Sequence, residues 1–124
     1  MNMNESELIE IVVGASYEVS NTLGCGFLEK VYERALVREL TTRGLAVKSQ
    51  VSYAVTYKGY SVGEYFADIV LEGQLVVELK CVDKFSNEHL AQCLNYLKAS
   101  TLPSALLINF QHPKVEGRRI VSRF

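Results

Sequence analysis

The chain has 124 residues and a mass of 13.9 kDa; 48% of its residues are hydrophobic and 22% are charged. This length suits one domain over residues 1–124, with enough apolar surface for a core without disulfides or a structural metal. Thirteen basic residues against fourteen acidic ones give a net charge of −1, which excludes the broad basic surface of a dedicated nucleic-acid binder. Asp is rare, because only Asp68 and Asp83 accompany twelve Glu residues.

The N-terminal segment and the cysteines indicate where the protein works. The first ten residues hold three acids and no basic residue, which is not the pattern of a secretory signal. No apolar run reaches the roughly 18 residues that cross a bilayer, so we expect no membrane contact. Cys25, Cys81 and Cys93 form no CxxC pair and are interpreted as buried thiols of a cytoplasmic protein. A zinc site of Cys81, His89 and Cys93 is an alternative, although its spacing matches no common zinc pattern.

Apolar periodicity predicts two helices at the start of the chain. The first begins near Asn4, which has capping-box spacing with Glu7, and ends at Gly24. The second runs from about Phe27 to Arg43, and Gly44 follows it as a typical C-terminal stop. Apolar side chains recur along one face of this second helix at Leu28, Val31, Tyr32, Ala35, Leu36 and Leu40.

After Gly44 the period of the apolar side chains changes from that of a helix to two residues, and this part of the chain predicts three strands. Residues 47–57 alternate between apolar and polar side chains, so we expect a half-buried strand. A turn at Lys58-Gly59 leads into a second strand over residues 60–71. A tight turn at Gly73 leads into a third strand over residues 74–81.

The rest of the chain predicts one helix and two strands. Ser86 or Asn87 caps a helix that ends near Ser100, and residues 105–110 form a wholly apolar run typical of a strand covered on both faces. Residues 118–124 add an edge strand. A strand–helix–strand return usually makes a parallel pair, so we expect an α/β (α+β) fold with a mixed sheet.

Asp68 and the triplet Glu78-Leu79-Lys80 carry the candidate chemistry. If the hairpin is symmetric about Gly73, residues whose numbers sum to 146 face each other, which puts Asp68 opposite Glu78. Lys80 shares their face, and Leu79 points towards the core. Opposed carboxylates repel each other and are neutralised by a cation; their oxygens suit Mg²⁺ or Mn²⁺, beside which Lys80 could orient or deprotonate a water.

The alternative for these residues is a solvated face of the hairpin. Their apolar flanks argue for the site, because charges embedded in apolar strands need partners more than charges on a polar surface do. The second helix adds Glu29, which is alternatively a first-turn acid favoured by the helix dipole. The third helix presents one polar face, which could bind substrate or simply meet solvent: His89, Gln92, Cys93 and Tyr96. The nearby basic residues, which are otherwise ordinary surface charges, are Lys80, Lys84, Lys98, Arg118, Arg119 and Arg123.

Four segments together resemble the GxxExxY family, which is grouped with the PD-(D/E)XK nuclease superfamily. They are residues 23–33 (LGCGFLEKVYE), the Asp68…Glu78-Leu79-Lys80 set, residues 91–97 (AQCLNYL) and residues 107–110 (LINF). The resemblance extends from about Glu7 to Arg119. It implies a restriction-endonuclease-like core of helix, three strands, helix and strand, here with an extra N-terminal helix and an added edge strand at the C-terminal end.

The resemblance also implies roles for individual residues. It implies that the metal ligands are Asp68, Glu78, the Leu79 main-chain carbonyl and Glu29. It makes Lys80 the residue that assists the attacking water, and it matches Gln92 and Tyr96 to the Gln-x-x-x-Tyr element of RecB-like nucleases. Ala67 stands where the superfamily name has Pro, a position that tolerates change.

These observations favour a nuclease that uses Mg²⁺ or Mn²⁺ to hydrolyse DNA or RNA. Its catalytic residues would be Asp68, Glu78, Lys80, Glu29 and Gln92, and its substrate-binding residues Tyr96, His89 and Lys84. The near-neutral charge predicts weak nucleic-acid binding by one chain alone, and cutting a duplex would favour two copies. The alternative function is a non-catalytic binding or assembly module with the same fold, for which a homodimer is one form.

Overall fold

The computed structural model describes residues 3–122, and these form three helices and one five-stranded sheet. The elements in chain order are α1 (Glu5–Leu23), α2 (Glu29–Thr42), β1 (Val47–Tyr57), β2 (Tyr60–Leu71), β3 (Leu75–Lys80), α3 (Asn87–Ser100), β4 (Ser104–Asn109) and β5 (Glu116–Val121). This order confirms the predicted fold class. The end of the predicted last strand, residues 123–124, lies outside the described residues. Between residues 3 and 122 no helix is long and apolar enough to cross a membrane.

The five strands lie side by side in the order in which they occur in the chain. β1 and β2 are antiparallel, as are β2 and β3, and β4 and β5. β3 and β4 are parallel, because α3 carries the chain back to the starting edge between them. The sheet is therefore mixed, as the strand–helix–strand return predicts, and β5 is one of its two edge strands, with β1 at the other edge.

The helices cover opposite faces of the sheet. α1 and α2 pack on one face, where the largest buried contributors include Leu8, Leu36, Leu40, Ile69, Leu71 and Leu79. α3 packs on the other face, where the buried residues include Val70, Val76, Cys93, Leu97 and Leu107. We refer to these as the α1/α2 face and the α3 face. The α3 face is covered by one helix only, so part of it stays accessible.

Two short sequences fix the local geometry as expected. The Asn4 side chain accepts a hydrogen bond of 2.9 Å from the Glu7 main-chain N–H, which caps α1. Glu72 and Gly73 have φ values of 52° and 63°, and the Gln74 N–H donates to the Leu71 carbonyl at 2.8 Å. Positive φ at both central residues of this turn suits a twisted hairpin, and residues 72–74 form the loop, so that Leu71 pairs with Leu75 and the strands are symmetric about Gly73.

Two expectations about these elements are wrong. α2 begins at Glu29 and not at Phe27, because the Phe27 N–H donates instead to the Tyr32 hydroxyl, which itself donates to the Gly24 carbonyl. The second half of β1 is not half-buried: Val55 and Tyr57 are exposed. The reason is that the β1–β2 hairpin, with strands of 11 and 12 residues, extends beyond the six-residue β3.

Candidate active site

The pairing of β2 and β3 brings Asp68 and Glu78 together. The paired residues are Leu71–Leu75, Val70–Val76 and Ile69–Val77, so their numbers sum to 146 as expected. Beyond Ile69–Val77, hydrogen bonds between carboxylate side chains and main-chain N–H groups replace the main-chain pairing of the two strands. The Leu79 N–H donates to Asp68 Oδ2 at 2.9 Å, and the Asp68 N–H donates to Glu78 Oε1 at 3.3 Å. Each carboxylate is thus held by the main chain of the opposite strand.

β1 and β2 change the face that they present to the core just beside this pair. On β1, Val47 packs on the α1/α2 face while Val51 packs on the α3 face, although strand alternation would put both on one face. β2 makes the same change between Ile69 and Ala67. Between the two β1 residues, Gln50 has a φ of 52°, in the left-handed region that a non-glycine residue rarely adopts. Such irregularities in paired strands are frequent beside functional sites.

Glu78 is a buried acid with an unfavourable neighbour. Its side chain belongs to a residue that is only 5% exposed. The pKa of Glu78 is raised to about 9, chiefly by burial and then by the negative charge of Asp68 and a hydrogen bond with its carboxyl, whereas the main-chain hydrogen bond from Asp68 and the positive charge of Lys80 act in the opposite direction. At neutral pH the pair therefore requires either a proton or a cation between its oxygens.

The sequence analysis missed two residues that hold Asp68. Gln50 Nε2 donates to Glu33 Oε2 at 2.9 Å and reaches Asp68 Oδ1 at 3.5 Å. Glu33 is buried on α2 and also meets Lys30 Nζ at 3.4 Å. Glu33 follows Glu29 by four residues on the same helix face, which is a signal that could have identified it. Gln50 gives no such signal, because its role depends on the change of face in β1.

Glu29 does not join the pair as expected. Its carboxylate accepts a hydrogen bond of 3.1 Å from the Cys81 N–H, one residue beyond β3. The structure thus brings two of the three predicted carboxylates together. Within residues 3–122 no group of three or more His, Cys, Asp and Glu side chains is arranged to hold a metal ion.

The positions of Cys81, Cys93 and His89 contradict the alternative of a zinc site. Cys81 packs beside the core of the α1/α2 face, whereas Cys93 lies in the core of the α3 face. The prediction of three buried thiols is wrong for Cys25, which is exposed in the loop between α1 and α2, and for Cys81, which is only partly buried. His89 is engaged elsewhere: its Nδ1 accepts from the Ser86 N–H at 3.0 Å and completes the cap of α3. The expected roles of His89, Lys84 and the exposed Gln92 in substrate binding or catalysis stay predictions.

α3 places Tyr96 within electrostatic range of the acidic pair. Burial raises the pKa of Tyr96, and the negative charges of Glu78 and Asp68 add to the effect. Cys93, one turn earlier on the helix, is buried in the same place, where burial and the charge of Glu78 raise the pKa of its thiol to about 12. Of the four expected residues on that face of α3, Cys93 and Tyr96 are therefore the two that lie within electrostatic range of the two carboxylates.

Tyr32 has a structural role at the start of α2. Its hydroxyl donates to the Gly24 carbonyl at 2.6 Å, and its ring stacks on Phe110 with centroids 4.8 Å apart. These contacts tie the loop before α2 to β4 and so fix the first turn of the helix, which contains Glu29. Of the C-terminal basic residues, Arg119 pairs with Glu5 of α1 and so joins β5 to the helix layer.

Solved structures share the fold of this chain, and one of the proteins is an alkaline exonuclease. The crystal structure of SSO0001 aligns with a TM-score of 0.59 and 19% identity over 97% of this chain and 60% of that one. An alkaline exonuclease, LHK-Exo from Laribacter hongkongensis, aligns with a TM-score of 0.52 and 10% identity over 95% of this chain and 82% of that one. LHK-Exo in complex with dAMP gives 0.52 and 10% over 93% and 83%. This chain therefore spans about 60% of the length of SSO0001.

Sequence comparison gives the family. No curated protein matches the chain. The family model of the PD-(D/E)XK nuclease superfamily matches residues 6–120, which include both carboxylates of the pair, Lys80 and the whole of the sheet's buried centre. The match covers almost the full length, and it agrees with the order of helices and strands in the structure. The chain belongs to the PD-(D/E)XK nuclease superfamily.

Proposed function

We propose that the chain is a divalent-metal-dependent nuclease that hydrolyses phosphodiester bonds in DNA or RNA. The observation that carries the proposal is the pairing of Asp68 with the buried Glu78, with Lys80 two residues further along β3. Within the superfamily we propose membership of the GxxExxY family, on the residues from Gly26 to Tyr32. The fold shared with an alkaline exonuclease supports the reaction class.

The pair fits Mg²⁺ or Mn²⁺. Both ions prefer hard oxygen ligands, and a cation would stabilise the ionised form of Glu78, whose pKa is raised by burial and by the negative charge of Asp68. Asp68, Glu78 and the Leu79 carbonyl would hold the ion. Mg²⁺ commonly uses only one or two protein carboxylates, with water and substrate phosphate as its other ligands. When bound, the ion would stabilise the negative charge that develops on the phosphate.

The chain's own residues would prepare the reaction around this ion. Lys80 would orient the attacking water and stabilise the developing phosphate charge. It follows Glu78 by two residues on β3, and its positive charge acts on the Glu78 carboxyl. Gln50 and Glu33 would hold the Asp68 carboxylate in one orientation through the amide hydrogen bonds. The Leu79 N–H would fix the second oxygen of that carboxylate.

Cleavage of end-labelled oligonucleotides with Mg²⁺ or Mn²⁺, together with calorimetric titration of Mn²⁺, tests the proposal. Single-stranded DNA, duplex DNA and single-stranded RNA are compared. Asp68→Asn and Glu78→Gln should abolish cleavage and Mn²⁺ binding while circular dichroism stays unchanged. The matched control is Asp83→Asn, because the Asp83 side chain is 93% exposed in the loop after β3. Cleavage that survives in both site variants would contradict the proposal.

The second candidate function is a non-catalytic assembly module, including a homodimer. It is favoured by large hydrophobic side chains that are exposed on the β1–β2 hairpin, at Tyr57, Tyr60 and Val62. Sedimentation of the metal-free protein tests it, since a module of this kind would self-associate without Mn²⁺ and lose association in Tyr60→Ser. For either function we propose a cytoplasmic location, because the three cysteines are free thiols.

A further inference from the structure

Three tyrosines form a continuous stack next to the acidic pair. The rings of Tyr65 and Tyr96 are nearly parallel, with centroids 3.9 Å apart and an angle of 5°. Tyr53 stacks on the Tyr65 ring at 5.4 Å and 24°. Tyr65 is therefore the middle of the stack, and Tyr96 is its end on α3. The three side chains are half-buried.

The change of face at Gln50 puts this stack where it is. Before Gln50 the odd-numbered residues of β1 lie on the α1/α2 face, and after it they lie on the α3 face, so Tyr53 meets α3. Tyr65 reaches α3 by the equivalent change in β2. The Tyr65 hydroxyl then donates to the Tyr96 carbonyl at 2.7 Å, which fixes the orientation of its ring. The irregularity beside Asp68 thus also organises the aromatic platform.

A cavity of about 760 Å³ opens between this platform and the hairpin. We name it the tyrosine pocket. Residues 54–56 of β1 and Tyr65 form one side, and Asn95, Tyr96, Lys98 and Ala99 of α3 form the other. The volume lies within the range of about 300–1,000 Å³ typical of small-ligand sites. The wall combines aromatic rings, an amide and one cationic side chain, which are the groups that contact a base and a phosphate in nucleic-acid-binding proteins.

The pocket adjoins the acidic pair. Tyr65 precedes Asp68 by three residues on β2, which is about 10 Å of strand. Tyr96 follows Cys93 by one helical turn, and Cys93 lies in the buried core of the α3 face, within electrostatic range of Glu78. The negative charge of Glu78 is among the causes that raise the pKa of both tyrosines, after their burial. A strand with its phosphate at the pair would therefore have a neighbouring base within reach of the pocket.

We propose that the tyrosine pocket binds an unpaired nucleobase of a single nucleic-acid strand, with the base stacked on Tyr96 and a backbone phosphate near Lys98. The inference rests on the proposed function and specifies its substrate as a single strand or an unpaired end. A base inside a duplex has both faces covered by its neighbours, so it cannot stack on a protein ring unless it is extruded. Stacking on aromatic side chains is tolerant of sequence, since every base has a π face.

Fluorescence titration tests the pocket in the Lys80→Ala background, so that no strand is cut during the measurement. The probe is a short single strand with 2-aminopurine at one position, made as DNA and as RNA, and its duplex serves as comparison. Stacking should quench 2-aminopurine in the single strands and not in the duplex. Tyr96→Leu should raise the Kd for the single strand about tenfold, whereas Tyr96→Phe keeps the ring and should retain the affinity.

The matched control is Phe66→Leu, which also removes an aromatic ring at an exposed position of β2 outside the pocket and should leave the Kd unchanged. A second measurement leaves the protein untouched: the 2-aminopurine is replaced by an abasic position, which should weaken binding by about the same factor. Equal affinity for the abasic strand, or for the duplex, would overturn the proposal.

The two proposals fail separately. If quenching depends on Tyr96 but no cleavage depends on Asp68, the pocket proposal is supported and the nuclease proposal is contradicted. If cleavage depends on Asp68 but the abasic strand binds as tightly as the intact strand, the nuclease proposal is supported and the pocket proposal is contradicted. The DNA and RNA arms decide which strand the pocket prefers.

Discussion

β3 presents Val77 and Leu79 to the α1/α2 face and Glu78 and Lys80 to the α3 face. Val77 and Leu79 are almost completely buried among the leucines of α1 and α2. Glu78 is nearly as buried, but its neighbours are Asp68 and the tyrosines that line α3. Alternate residues of one six-residue strand therefore meet an apolar layer on one side and an excess of negative charge on the other.

The two faces contribute differently to the free energy of unfolding. Burying a side chain such as Leu79 contributes about 1.5–3 kcal/mol. Burying Glu78 beside another carboxylate lowers stability when both are ionised, because the loss of hydration and the repulsion by Asp68 outweigh the attraction of Lys80. The α1/α2 face thus contributes only apolar burial, whereas the α3 face combines its own apolar core with a destabilising acidic pair of the kind that is frequent at functional sites.

Lys80→Ala should have the largest effect and act only on the α3 face. Cleavage by the proposed nuclease should fall about 100- to 10,000-fold, because the positively charged group next to the attacking water is lost. Mn²⁺ affinity should change little, since Asp68 and Glu78 remain, so calorimetry and a cleavage assay together measure the effect. Lys48→Ala is the matched control, at an exposed position of β1. Equal loss of cleavage in both variants would assign the effect to general charge.

Leu79→Ala should have the next largest effect and act only on the α1/α2 face. Removing a fully buried leucine leaves a cavity and lowers the free energy of unfolding by about 2–5 kcal/mol, measured by urea denaturation. Cleavage per folded molecule should be retained below the unfolding transition. Leu94→Ala on α3 is the control, because that leucine is exposed and its loss should matter by less than about 1 kcal/mol. A similar loss in both would erase the distinction between the faces.

The α1/α2 face and the Asp68–Glu78 pair could be predicted from the sequence for clear reasons. Apolar periodicity is read directly from α1 and α2, since each helix buries one stripe. The Glu72-Gly73 turn fixes the register of β2 and β3, so the opposition of Asp68 and Glu78 follows from counting. Both inferences use only local spacing, which the sequence displays without any tertiary contact.

The remaining features depend on tertiary contacts and could not be predicted in this way. The left-handed backbone of Gln50 reverses the alternation in β1, and nothing in the sequence marks a glutamine for that conformation. The roles of Gln50 and Glu33 and the meeting of Tyr53, Tyr65 and Tyr96 all follow from it.

Gln50→Gly tests how far the acidic pair depends on the side chain of Gln50, which donates a hydrogen bond to Asp68. Glycine accepts the positive φ of this position, so the variant removes the side chain without straining the backbone. Mn²⁺ affinity should fall about 10- to 100-fold, because Asp68 loses the amide that holds it. Calorimetry measures the affinity, and thermal unfolding should show no loss of stability. Ser52→Ala is the control, since it removes only the exposed hydrogen bond to Glu64. Unchanged affinity in Gln50→Gly would show that the Leu79 N–H alone suffices.

The pH dependence of stability separates the two faces of β3 in a single experiment. The pKa of Glu78 is raised from 4.5 to about 9, so between these values the folded protein keeps a proton that the unfolded chain releases. The free energy of unfolding of the metal-free protein should then fall from pH 5 to pH 8, by up to about 1.4 kcal/mol per pH unit. Glu78→Gln should remove this slope, whereas Leu79→Ala should lower the curve and keep the slope. A flat curve for the metal-free wild type would mean that the charges of the pair are already compensated, and the α3 face would then carry no stored destabilisation for a cation to relieve.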